Sequence, residues 1–176
     1  MPSADPLPIL ADPALLRRFT VNDLHAFQSY RHDPELGRYQ GWSPLTDGEA
    51  LAFIEEMRVA AILQPGEWSQ IAIADPGTDE LIGDLGLFLA SDASYAEVGF
   101  TLSRAAQGRG VATAAVRATI DMVFGYTPAR RVFGITDTRN TASVRVLERA
   151  GMQRVESREV VFKGEACTEW IFIKDR

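Results

Sequence analysis

The stretch AAQGRGVATAAV, Ala105 to Val116, decides how this chain is read. Gly108 and Gly110 flank Arg109, and a run of small residues suited to a helix follows. Glycine at the mouth of a helix costs conformational order and packs nothing, so its return is a close approach of backbone to a ligand. A helix N-terminus presents unpaired N–H groups and the positive end of a macrodipole. With glycines beside them, those N–H groups can close around a phosphate. Gln107 to Thr113 is therefore a candidate pyrophosphate cradle, built from main chain more than side chain, with Arg109 adding charge and Thr113 a hydroxyl. The competing reading is a tight turn that binds nothing. A nucleotide P-loop is excluded because Gly-Lys-Ser/Thr is missing. A dinucleotide G-x-G-x-x-G loop fits poorly, because Thr113 stands in the third position and no βαβ unit opens there.

Outward from the loop, the patterns alternate between strand and helix. Upstream, Trp68 to Ala74, Leu81 to Leu89 and Ala96 to Leu102 show the period of strands and form an antiparallel meander. Asp75-Pro76-Gly77 marks a turn between the first two. In the third, Val98, Phe100 and Leu102 share one face, while Glu97, Gly99 and Thr101 share the other. Downstream, Val111, Ala115, Ala118 and Met122 make a helical stripe, with Gly125 as its expected C-terminal cap. Arg131 to Thr136 reads as a strand, and Asn140 caps a further helix carrying Val144, Leu147 and Ala150 up to Gly151. Val155 to Phe162 and Cys167 to Ile173 are strands around a turn at Lys163-Gly164.

Nearer the start, Thr46 and Glu49 form a capping box for a helix running through Glu56 to about Ala61. Asn22 or Asp23 caps a short helix ending before Pro34, and Arg38 to Pro44 is a loop. Leu15 to Phe19 is a first strand. Residues 1–14, with Pro2, Pro6, Pro8 and Pro13, read as an extended arm, leaving residues 15–176 as one domain. The expected class is α/β: a mixed, mostly antiparallel central sheet with helices on both faces.

Composition narrows the function classes. The 176 residues are 46% hydrophobic and 24% charged, as expected of a soluble globular chain. The net charge of -6 argues against a nucleic-acid backbone as partner and suits a cationic one such as an amine. No apolar run spans a bilayer and the N-terminus lacks a signal-peptide pattern, so the cytoplasm is the expected compartment and no membrane partner is expected. The single cysteine, Cys167, reads as a core thiol; His25 and His32 pair with nothing, and no metal site is expected.

Gln107-Gly108-Arg109-Gly110-Val111-Ala112, followed at the right distance by Asn140-Thr141-Ala142-Ser143 and running on to Gly151-Met152, resembles the GCN5-related N-acetyltransferase (GNAT) superfamily. Leu81-Ile82-Gly83, Glu97-Val98-Gly99 and Arg38-Tyr39-Gln40-Gly41-Trp42 are similar to its ribosomal-protein-alanine acetyltransferase branch. The resemblance implies a sheet splayed between its fourth and fifth strands, here Glu97–Leu102 and Arg131–Thr136. It implies acetyl-CoA as donor and direct transfer to a primary amine, either a protein N-terminus or a small molecule. A larger acyl donor such as succinyl-CoA, and a CoA-binding module without turnover, are the alternatives. A homodimer is the oligomer to test.

The resemblance also carries residue roles. The backbone of Phe100, Thr101 and Leu102 is expected to meet the pantetheine arm, and Gln107, Gly108, Arg109, Gly110, Val111, Ala112 and Thr113 the pyrophosphate. Asn140, Ser143 and Arg145 are the further cofactor-side residues. Glu97 is the candidate base, acting directly or through water, and Asp84 on the neighbouring strand is the alternative. Many members carry a tyrosine acid where this chain has Leu147, so Ser143, one helical turn earlier, is the expected substitute. Trp42 and Asp84 are assigned to the acceptor side.

Overall fold

The computed structural model describes residues 5–176; the first four residues of the expected arm, Pro2 among them, lie outside the described residues. The meander forms as its alternation demands: β3 (Trp68–Ala74), β4 (Leu81–Leu89) and β5 (Tyr95–Leu102) pair antiparallel, with one register shift between Ile73 and Ala74 of β3. Before them stand β1 (Ile9–Ala11) and β2 (Ala14–Arg17); after them stand β6 (Arg131–Asp137), β7 (Gln153–Phe162) and β8 (Glu165–Asp175). The eight strands form one sheet in the order β1-β2-β3-β4-β5-β6-β8-β7. Every pairing is antiparallel except β5 with β6. Residues 9–11 are therefore an edge strand paired with β2, where the sequence suggested an unpaired arm.

Helices cover both faces. α1 (Leu24–Arg31), the short α2 (Pro34–Gly37) and α3 (Asp47–Val59) lie on one side, where Phe19, Phe27, Tyr30, Ile54, Ala72 and Leu81 form a small core. α3 starts with the expected box: Thr46 Oγ1 accepts from Glu49 N–H, and the Glu49 carboxylate accepts from Thr46 N–H at 2.9 Å. α1 is preceded by a 3-10 turn that starts at Thr20, with the Asp23 carboxylate accepting from Thr20 N–H at 2.8 Å; Asp23 holds the N-cap position of α1, as expected, but its side chain makes no capping bond to that helix. α4 (Val111–Tyr126) and α5 (Thr141–Arg149) cover the other face, over the larger core of Leu16, Ile71, Leu85, Leu87, Val98, Val116 and Phe172. Each such side chain contributes about 1.5–3 kcal/mol when fully buried. Gly125 lies inside α4 rather than capping it; the cap is Thr127, whose N–H and Oγ1 both donate to the Val123 carbonyl at 3.0 and 2.7 Å. No helix among the described residues is long and apolar enough to cross a membrane.

The parallel contact positions the site. β5 and β6 pair only through Tyr95↔Arg131, Ala96↔Val132 and Glu97↔Phe133. Beyond Glu97 the two part, because β6 continues along β8 to Asp137↔Glu169 while β5 stays with β4 to Gly83↔Leu102. Gly83 lets β5 lean that way: a Cβ there would lie 2.3 Å from the Thr101 carbonyl oxygen. The edge of β5 from Val98 to Leu102 is left without a strand partner.

Candidate active site

The loop that opens α4 lies at the end of this free edge. Gly108 and Gly110 have φ of +73° and +79°, in the left-handed region that any residue with a Cβ enters at a cost. A Cβ at either would meet no atom within 4 Å, so the conformation, not crowding, selects glycine, and the space over both is open to a ligand. No side chain caps α4, and its first backbone bond runs from Ala114 N–H to Gly110 O at 3.0 Å. The N–H groups of Val111, Ala112 and Thr113 thus precede the helical ladder and face the mouth of the loop. Val111 and Ala112 bury their side chains, so they offer backbone alone. Arg109 is half exposed, 3.5 Å from Asp75. The Gln107 amide donates instead to the Leu102 carbonyl at 3.2 Å and latches the loop to β5. This set of main-chain donors on an uncapped helix fits a diphosphate.

The Phe100 and Leu102 carbonyls accept from side chains, Gln40 Nε2 at 3.2 Å and Gln107 Nε2, rather than from a strand. In a strand the N–H and C=O of one residue point to the same side. The Phe100 and Leu102 N–H groups therefore also face the gap, where they can meet an extended chain of amides. Gln40 had no role assigned from the sequence beyond its segment; its contact depends on a loop crossing onto β5. Across the gap, Asn140 Oδ1 accepts from Ser143 N–H at 3.3 Å and caps α5. Ser143 is half-buried, and its hydroxyl makes no bond to the helix backbone among the described residues. Leu147 is buried in the core, where its Cδ2 would lie 2.7 Å from a Cβ placed at Gly134 on β6. Arg145 is exposed, and no hydrogen bond or ion pair joins it to the loop among the described residues.

On the opposite face, Glu97 is the last residue of β5 paired to β6. Burial pushes its carboxyl above the usual carboxylate range; Arg158 pulls it back and Glu169 adds to the rise. Arg158 and Glu169 are themselves joined at 3.0 Å on β7 and β8. Glu97 makes no ion pair among the described residues, so its carboxylate is free to take a proton. Asp84 is the reverse. It is 1% exposed and accepts from the Tyr30 hydroxyl, from Arg31 Nη2 at 2.9 Å on each oxygen, and from Gln70 Nε2 at 2.7 Å. A carboxylate so occupied neither binds an acceptor nor serves as base; its expected role is corrected to a structural one. Burial, reinforced by the Asp84 charge, lifts the Tyr30 phenol well above its ordinary range, so it remains a donor.

Trp42 is an anchor for its loop. Its indole Nε1 donates to Thr101 Oγ1 at 3.3 Å, and its ring stacks on the Arg31 guanidinium with 4.6 Å to the centroid. A cavity of about 210 Å³ lies behind it, lined by Phe27, Arg31, Ser43, Leu45 and Phe53. Lys163, at the tip of the β7–β8 hairpin, donates to the Gly37 and Trp42 carbonyls at 2.9 and 3.3 Å and ties the hairpin to the loop after α2. Cys167 is buried, and burial with the nearby Asp137 charge raises its thiol, as for a core residue. His25 and His32 are exposed, and no metal-binding cluster occurs among the described residues.

The family profile described as Acetyltransferase (GNAT) domain matches residues 14–153. The uncharacterized N-acetyltransferase p20 of Bacillus licheniformis is 28% identical over 141 residues, 79% of this chain and 78% of that protein. Two solved structures share the fold. The microcin C7 self-immunity acetyltransferase MccE, in complex with acetyl-CoA and AMP, superposes with a TM-score of 0.82 at 16% identity, covering 99% of each chain. RimL, a ribosomal L7/L12 alpha-N-protein acetyltransferase in complex with coenzyme A, does so with 0.80 at 15%, covering 96% of this chain and 98% of its own.

Proposed function

Because the chain belongs to the GNAT acetyltransferase family, and is an acetyl-CoA-dependent N-acetyltransferase, we propose that it acetylates a primary amine, on a small molecule or a protein N-terminus, with Glu97 as base and Ser143 as hydrogen-bond donor to sulfur. One observation carries the reading. β5 and β6 part at Glu97, so a half-buried carboxylate with no ion pair among the described residues stands where an open strand edge begins.

The donor thioester supplies the acetyl group and a thiol leaving group. The chain supplies the rest. The N–H groups of residues 108–113 hold the diphosphate, and the Phe100 and Leu102 N–H groups orient the amide-bearing arm along β5. A backbone N–H on that edge also stabilises charge developing on the carbonyl oxygen. Glu97 removes a proton from the ammonium. A lysine-like amine titrates near ~10.4 and an α-amine near ~8, so deprotonation at neutral pH costs about 4.6 or about 1.4 kcal/mol respectively. A carboxyl with a raised pKa is the better matched base for either. The Ser143 hydroxyl, unbound to its helix, donates toward the departing sulfur and takes the place that Leu147 leaves vacant.

Release of free thiol from acetyl-CoA, followed with a panel of amines, tests this. Thiol release that rises with amine concentration and yields N-acetylated product is expected. Hydrolysis at a rate indifferent to every amine contradicts it.

A further inference from the structure

Residues directly opposed in a sheet share a face. The register therefore sets Trp68, Phe88, Glu97 and Phe133, from four adjacent strands, in one row. Tyr95, two residues before Glu97, points the same way. The rings form a continuous chain, with centroids 5.5 Å apart for Trp68–Phe88, 6.5 Å for Phe88–Tyr95 and 5.3 Å for Tyr95–Phe133. Glu97 thus has an aromatic ring on three sides, which accounts for its desolvation. Its fourth side is Gly99.

Gly99 lies opposite Gly86. A Cβ at Gly99 would meet nothing within 4 Å, whereas one at Gly86 would meet the Trp68 ring at 3.4 Å. The Trp68 ring therefore lies against the backbone of Gly86, and it is 52% exposed. Gly86 is buried beneath that ring and the Gln70 amide, so Gly99 alone leaves a trough floored by backbone, with Glu97 at one end, the Trp42–Thr101 contact at the other, and Trp68 along its wall. The trough opens onto the unpaired edge of β5.

We propose that this trough selects a primary amine joined through a two- or three-atom linker to an aromatic body, with Trp68 and Phe88 as specificity-determining residues; the inference rests on the amine-acceptor reading above. An ammonium at Glu97 leaves the body one to two strand spacings away, about 5–10 Å, over the open backbone of Gly99 and against the edge of the Trp68 ring that covers Gly86. An exposed indole lying in a site is a stacking surface for such a body. A polyamine would need a second free carboxylate along the trough, and Asp84 is consumed by Arg31, Tyr30 and Gln70. The same chemistry occurs in a free arylalkylamine and in the first residue of a peptide beginning with phenylalanine.

Thiol release with 2-phenylethylamine, a Phe-initiated peptide, spermidine and a Ser-initiated peptide separates these. A kcat/KM at least tenfold higher for the two aromatic amines is expected, and the better of the two identifies the source. Trp68→Ala, at a half-exposed position, should lower that kcat/KM about tenfold, chiefly through KM. Calorimetry with N-acetyl-2-phenylethylamine and coenzyme A should show the product binding about tenfold more weakly to Trp68→Ala. Gly99→Val, whose side chain fits open space, should abolish product binding while coenzyme A still binds. A preference for spermidine or the Ser-initiated peptide, or a Trp68→Ala variant equal to the parent, overturns this inference and leaves the acetyltransferase reading standing. Amine-independent hydrolysis alone overturns both.

Discussion

Glu97 shows how one side chain takes its chemistry from its surroundings. Its parity with Gly99 and Thr101 is plain in the sequence, but the three rings around it come from other strands. A carboxyl whose pKa is raised on folding contributes stability fully only below its unfolded pKa, near ~4.3, and that contribution is lost as pH rises through the folded pKa. Ionised Glu97 therefore burdens the fold at neutral pH. Glu97→Gln is expected to raise the melting temperature at pH 7 and to match the parent below about pH 4, near the unfolded carboxylate pKa. In the same variant the acid limb of the kcat/KM profile should vanish. Melting curves across pH and the rate profile check both halves, and an unchanged acid limb removes Glu97 as base. Asp84 is the contrast: the sequence shows a carboxylate on the adjacent strand, but not the four donors that occupy it.

Among elements, the loop and helix opening at Gly108–Gly110 were the most legible. Their φ requirement and the missing cap are local properties. Gly110→Val should weaken acetyl-CoA binding at least tenfold by calorimetry and also cost about 1–2 kcal/mol of stability from the left-handed backbone. Affinity equal to the parent in a folded variant would show that the loop holds no diphosphate. The strands of the meander and the Thr46 box were equally readable. Two elements misled for physical reasons. β1 is three residues long among prolines, too short for a period to register. Gly125 imitates a cap, yet a single glycine inside a well-packed helix costs only about 1 kcal/mol, and α4 runs past it to Thr127.

At the scale of the molecule, the Arg31–Asp84 pair joins α1 to the middle of the sheet, with the guanidinium between the Phe27 and Trp42 rings at 4.7 and 4.6 Å. Removing one partner of a buried pair strands the other charge. Asp84→Ala is expected to lower unfolding free energy by about 3–5 kcal/mol in denaturant titration. A loss under about 1 kcal/mol would mean the pair is not buried as described.

Residues close along the chain were enough to read the meander, the longer helices and a glycine loop suited to a phosphate, because period, capping and backbone handedness act within a few positions; the acetyl-CoA donor came from the family resemblance. The parting of β5 from β6, the rings around Glu97, the capture of Asp84 and the glycine-floored trough arose only in three dimensions. Each depends on which residues of distant strands stand opposite one another, and pairing register between strands far apart in sequence is set by the packing of the whole sheet.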